Sequence, residues 1–167
     1  MFFLKDLPED NAEQVLELAR KAIGENKIIG IDSSESPNWV QRFQKVVLKA
    51  RLLGLKIVTH CQENTTDQSG GEVLHFLQPN RIDHGYFMHE DQKILEKIKN
   101  DNIHITMCPF WSTRGSKFPN KKDYPIKKYL DFGLSININS DYPAYHGATI
   151  NEGLIYVQDM WNLTKKE

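Results

Sequence analysis

Short apolar runs alternate with amphipathic stretches along the whole chain. Phe2-Phe3-Leu4, Ile28–Asp32, Leu55–His60, Arg81–Gly85, Ile103–Pro109 and Leu134–Asn139 read as strands, the fifth stopped by its proline. Between them, apolar residues recur at helical spacing. Pro8-Glu9-Asp10 opens a helix with Ala12, Val15, Leu16, Ala19 and Ile23 on one face, and Gly24 ends it. Phe43, Val46, Val47 and Ala50 mark the next helix, closed by Gly54, and Val73, Leu74, Phe76 and Leu77 predict another ending at Pro79. Asp91–Lys99 carries Ile94, Leu95 and Ile98. Pro125 opens a helix with Ile126, Tyr129 and Leu130, ended by Gly133, and Ile150–Trp161 reads as the last. Phe110–Asp123 is the longest predicted loop, at the exit of a strand where such folds keep function.

Strand and helix in alternation imply parallel strands joined by right-handed crossovers, an α/β fold of repeated βα units. No linker, low-complexity tract or second domain interrupts residues 1–167, and that length suits one domain. Apolar residues make up 40% and charged residues 26%, an ordinary globular balance, and the net charge of −1 gives no electrostatic case for nucleic acid or membrane. Lys117, Lys121 and Lys122 form a short basic cluster that reads as solvated surface. Cys61 and Cys108 are too few and too far apart for a disulfide framework and read as reduced, packed thiols. The opening MFFLKDLPEDN lacks a basic region and turns acidic within a few residues, and no apolar run reaches the ~20 residues of a membrane span. The expectation is a cytoplasmic protein.

The polar residues carry the chemistry. Asp32, His60, His84 and Asp141 each fall at or just beyond the carboxyl end of an apolar strand, the end where α/β folds bind ligands. Two histidines and a carboxylate converging there can hold a divalent metal, and imidazole with carboxylate suits zinc with an open position for water. Glu63 lies one loop step beyond His60 and can act as general acid or base on a ligand there. Each residue also has an ordinary alternative. A strand-end histidine can cap backbone groups, Asp32 and Asp141 can form turns or caps, and Glu63 can be a solvated loop residue. His75, His89, His104 and His146 take such ordinary roles in this reading. The spacing His60-Cys61-Gln62-Glu63, with Cys108 before Pro109 and no second cysteine near, does not match the cytidine deaminase signature.

The same residues resemble the adenosine and adenine deaminases, the adenine branch most closely. FFLKDLPEDNAEQVL is similar to that branch's third-strand segment and following helix, and GIDSSE to its fourth-strand motif. THCQE resembles T-H-A-G-E, RIDHG matches R-I-D-H-G, MCP resembles the family's C-P strand end, and INSDYPAYHG resembles N-S-D-D-P-A-Y-F-G. The resemblance runs in order over nearly the whole chain. It implies a partial (β/α)8 TIM barrel of about six parallel strands, family strands three to eight, as one incomplete domain over 1–167. It implies one zinc ion, with His60 and Asp141 as ligands. Glu63 would protonate purine N1, His84 would orient and help activate the attacking water, and Asp141 would contact that water. Zinc lowers the pKa of bound water toward ~7. A proton donor at Glu63 must be protonated, so its pKa is expected to be raised.

The chain also departs from the family pattern. It has no H-x-H, the first-strand motif that supplies two zinc ligands, so zinc is expected to be weakly held or absent. Tyr142 stands where the family has the carboxylate that contacts purine N7; it can donate a hydrogen bond, and its bulk is large enough to fill the pocket. Gln62 replaces a glycine beside Glu63, and Phe110-Trp111-Ser112 replaces L-S-N. A complete barrel takes about 250 residues. The open barrel is expected to expose strand edges and apolar inner faces, and to pair with itself or with a complementing chain. The function implied is zinc-dependent hydrolytic deamination of a 6-aminopurine (adenine or adenosine), impaired in this chain alone. The alternatives are a non-catalytic truncated paralogue that binds purine or a protein, and a barrel fragment that serves only as a folding unit.

Overall fold

The sheet that the apolar runs predict has six parallel strands, and each pairs with its neighbour in chain order. The computed structural model describes residues 2–4, 8–23, 29–34, 38–63, 69–114 and 117–164. Within them the strands are β1 Phe2–Phe3, β2 Gly30–Ser33, β3 Lys56–Cys61, β4 Arg81–His84, β5 His104–Met107 and β6 Ile136–Ile138. The helices are α1 Glu9–Ile23, α2 Trp39–Leu52, α3 Gly70–Glu72, α4 Gln92–Asn100, α5 Pro109–Ser112, α6 Ile126–Phe132, α7 Pro143–His146 and α8 Ile150–Trp161. Gly24 as a helix stop and Ile28 as a strand start lie outside the described residues. A strand order that never doubles back is the winding of a (β/α)8 barrel, not of a doubly wound sheet.

Register explains which face the helices cover. Partner residues in parallel strands share a face, so Ile31, Ile57, Ile82, Ile105 and Ile136 lie together. The first four of these isoleucines are at most 1% exposed and join Phe43, Val46, Leu74, Ile98 and Tyr129 from the helices in one core. Each such side chain stabilises the fold by about 1.5–3 kcal/mol through burial. The faces anticipated for α1, α2 and α4 are the buried ones, with Ala12, Phe43, Val47 and Ile98 fully inaccessible. Ends follow known caps. Asp91 accepts from the Lys93 N–H at the start of α4, Thr149 and Glu152 form a capping box on α8, and Gly133 ends α6 at φ +80°.

Three expectations change. The helix anticipated around Val73–Leu77 is a π turn continuing α3. The predicted loop Phe110–Asp123 holds most of α5 and a 3-10 turn at Lys121–Asp123, because Pro109 sits at the first turn of α5, where it costs no hydrogen bond. Third, the inner sheet face is polar rather than apolar. Asp32, His60, Arg81, Asp83, His104, Thr106 and Asn137 share it by register, Arg81 pairs with Asp83 at 2.8 Å, and His104 bridges Ser135 and Asn137. None of the large exposed hydrophobics among the described residues comes from a strand. No helix among these residues is long and apolar enough to cross a membrane.

Candidate active site

Parallel pairing brings the ends of β3, β4, β5 and β6 to one rim. His60 pairs in register with Asp83 and Cys61 with His84, which sets the His60 and His84 rings 5.0 Å apart. A cleft of about 610 Å3 opens there, lined by His60, Glu63, His84, Asp141 and Tyr142 together with Ser34, Trp111, Tyr145 and His146. That volume suits a small heteroaromatic ligand. All five site residues anticipated from the sequence therefore border one cavity.

The backbone is unusual at this rim. Gln62, His84 and Asp141 have positive φ of 47°, 71° and 59°. A left-handed non-glycine residue costs roughly 1–3 kcal/mol and tends to mark functional sites. Gln62 also explains why a glycine is at home in its position, since glycine adopts positive φ freely. Its amide packs over Gly70, where a Cβ would sit 2.7 Å from Gln62 Oε1.

Electrostatics divides the two histidines. Burial pulls the His60 pKa down, but the Asp32 carboxylate, 3.5 Å from Nδ1, and the charges of Asp83 and Glu63 outweigh it, so the net shift is upward. His84 moves down, because burial and the neighbouring His60 outweigh the pull of Glu63. His84 is thus held neutral. For Glu63 the expected upward shift is reversed. Burial raises it, yet the Lys117 ammonium, 2.5 Å from Oε1, together with the neighbouring His60 brings the net shift below the usual value. Lys117, read from the sequence as solvated surface, instead reaches into the site.

Other positions differ in detail. Tyr142 does not fill the pocket: it is 70% exposed on the rim. His146 is not a bystander, since its ring stacks on Trp111 at 3.9 Å and its Nε2 lies 3.9 Å from Asp141 Oδ2. Sequence reading also passed over Asp83 and Tyr86; alternation along β4 places Asp83 on the inner face and was the available signal for it. His75, His89 and His104 do not line the cleft, and His89 Nδ1 bonds the Tyr86 carbonyl at 2.7 Å.

Two groups of donor atoms fit a divalent cation, Asp32–His60–Asp83 and His84–Cys108–Asp141, each within 4.8 Å. The anticipated ligands His60 and Asp141 fall in different groups, although both border the same cleft. Imidazole and carboxylate donors suit zinc. Cys108 suits it less, because burial and the carboxylates of Asp141, Asp83 and Glu63 push its thiol far up and keep it protonated.

Comparison with known proteins agrees with this fold. The adenosine deaminase family model matches residues 3–167. An adenine deaminase of Cupriavidus necator is 36% identical over 149 residues, 89% of this chain and 42% of that protein. A Burkholderia ambifaria amidohydrolase crystallised with bound Zn superposes with TM-score 0.82 at 20% identity, over 97% of this chain and 46% of that one. An Arabidopsis structure complexed with IMP superposes with TM-score 0.86 at 17% identity, over 99% and 48%. The chain spans about half the length of the curated relatives it matches. Sequence and winding coincide: the chain belongs to the adenosine deaminase family.

Proposed function

We propose that this chain supplies the later half of a zinc-dependent aminohydrolase site that converts a 6-aminopurine, adenine in the first place, to its 6-oxo product and ammonia. The observation that carries this reading is the convergence of His60, Glu63, His84 and Asp141 on one cleft. Adenine is preferred over adenosine because GIDSSE and INSDYPAYHG are similar to the adenine branch, and because the Cupriavidus relative is an adenine deaminase.

His60 and Asp141 would hold the metal, whose Lewis acidity makes water a competent nucleophile near neutral pH. Asp141 would also accept a proton from that water. Neutral His84 would orient it with a hydrogen bond. Glu63 would deliver a proton to ring N1, which removes the aromatic penalty of attack at C6. In the free site Glu63 is ionised and paired with Lys117, so it must take up a proton, and loosen that pair, before it can donate. Reduced Cys61 and Cys108 suit a cytoplasmic location.

The metal-binding set is short within this chain, so the isolated chain is expected to turn over slowly and to gain activity from a complementing chain. The test is to incubate the purified chain with adenine, with and without zinc, and follow hypoxanthine by absorbance beside Glu63→Gln. Zinc-dependent product in the parent and none in the variant is the expected result; equal signal in both rules the mechanism out. A second reading is a purine-binding module without catalysis, favoured by the Lys117–Glu63 pair. Saturable adenine binding without any product, even after the complementing half is added, would establish it.

A further inference from the structure

Behind His84 lies a buried chain of hydroxyls that the proposed reaction does not use. Tyr86 is fully inaccessible, walled by the rings of Phe118 and Tyr124 at 5.9 and 5.0 Å. Its hydroxyl meets three polar groups: His84 Nδ1 at 2.5 Å, Ser112 Oγ at 2.6 Å and the Tyr124 hydroxyl.

Proton accounting orders this chain. The Tyr124 oxygen accepts from the Cys108 backbone N–H at 3.0 Å with one lone pair, and its own proton can go to the Tyr86 hydroxyl beside it. Ser112 Oγ donates to Tyr86 as well. The phenol oxygen has two lone pairs and one proton. In this arrangement both lone pairs are engaged, and that proton has one remaining destination. We infer that Tyr86 is a positioning residue for His84: its hydroxyl donates to Nδ1 and holds the imidazole as the Nε2–H tautomer at the cleft. A neutral imidazole has one donor and one acceptor nitrogen, so its free nitrogen then bears a hydrogen and is not a lone pair. His84 presents a fixed hydrogen-bond donor to the cleft and does not serve as the imidazole of the His84–Cys108–Asp141 group.

The rival arrangement is explicit. Ser112 Oγ also lies 2.9 Å from the Cys108 carbonyl. A Ser112 proton sent there, or a Tyr124 oxygen that accepts from Tyr86, would let Tyr86 donate away from His84, and His84 would then carry its hydrogen on Nδ1. What the N–H does in catalysis rests on the deaminase reading; the tautomer does not.

Long-range proton–nitrogen NMR of the 15N-labelled full chain at pH 7.5 reads the tautomer directly, with His84 assigned by its loss in His84→Gln. The expected result is an unprotonated Nδ1 and a protonated Nε2. Tyr86→Phe keeps the ring and should move both nitrogens toward the average of the two tautomers. Ser112→Ala should leave the pattern unchanged, because Tyr124 still donates to Tyr86. A protonated Nδ1 in the parent, an unmoved pattern in Tyr86→Phe, or a switch of tautomer in Ser112→Ala overturns the inference. If Tyr86→Phe does not fold, the parent and Ser112→Ala spectra decide. An intact Nε2–H pattern in a chain that never deaminates adenine defeats the proposed function alone.

Discussion

At the residue scale the decisive pair is Glu63 with Lys117. Both side chains are about one-third exposed, at 32% and 33%, so solvent screens the contact and its worth is roughly 0.5–1 kcal/mol. The folded-state pKa of Glu63 lies below the ordinary 4.5. A lowered carboxylate contributes stability that is fully present above the unfolded value and is lost as pH falls through the folded one. Urea unfolding between about pH 5.5 and 3 should show the parent losing roughly 0.5–1 kcal/mol more than Lys117→Met. Equal losses would mean the ion pair does not hold in solution. Lys117→Met should also raise the Glu63 pKa, the direction a proton donor to N1 requires, so this lysine opposes the proposed chemistry in the free site and must yield when ligand enters.

At the element scale, short end structures place the site. The positive φ of His84 and Asp141 turns the chain sharply where β4 ends and where α7 is about to begin, which points side chains of differing strand parity at one cleft. α8 closes the far side by packing on α5, with Tyr156 meeting the Thr113 hydroxyl at 2.6 Å and the Phe110 ring at 5.5 Å. Its capping box satisfies two otherwise unbonded groups of the first turn. Thr149→Ala should therefore cost about 1 kcal/mol by urea or thermal unfolding. Because α8 braces the segment that carries Trp111, the same change should loosen the cleft wall; an unchanged melting curve would contradict the cap's contribution.

At the scale of the molecule, β1 and β6 are the sheet's outer strands, and the inner face is polar and partly solvated. Association through strand edges is then favoured by backbone hydrogen bonding more than by apolar burial. Light scattering at micromolar concentration should find a weak, concentration-dependent dimer, and a complementing half-barrel should bind in its place. A strictly monomeric chain that also ignores such a partner would contradict edge pairing. The polar inner face carries Asp32, His60 and Asp83, so the surface that a complete barrel encloses is also the surface that feeds charge into the active rim.

The order of apolar runs determined the parallel α/β winding, because strand and helix periodicities are local properties of the chain. Motif spacing determined that His60, Glu63, His84 and Asp141 belong at strand ends, since a strand's carboxyl end is legible from where its apolar run stops. Only the tertiary structure decided the protonation of His60, Glu63 and His84 and the company that all four keep. Lys117 reaches Glu63 across 54 positions of sequence, and Tyr86 is fixed on His84 by Ser112 and Tyr124 from two separate segments. Such contacts depend on how distant segments pack, and no local pattern encodes them. The polarity of the inner sheet face was likewise hidden, because it follows from register between strands: a shift of one residue would have turned the isoleucines inward.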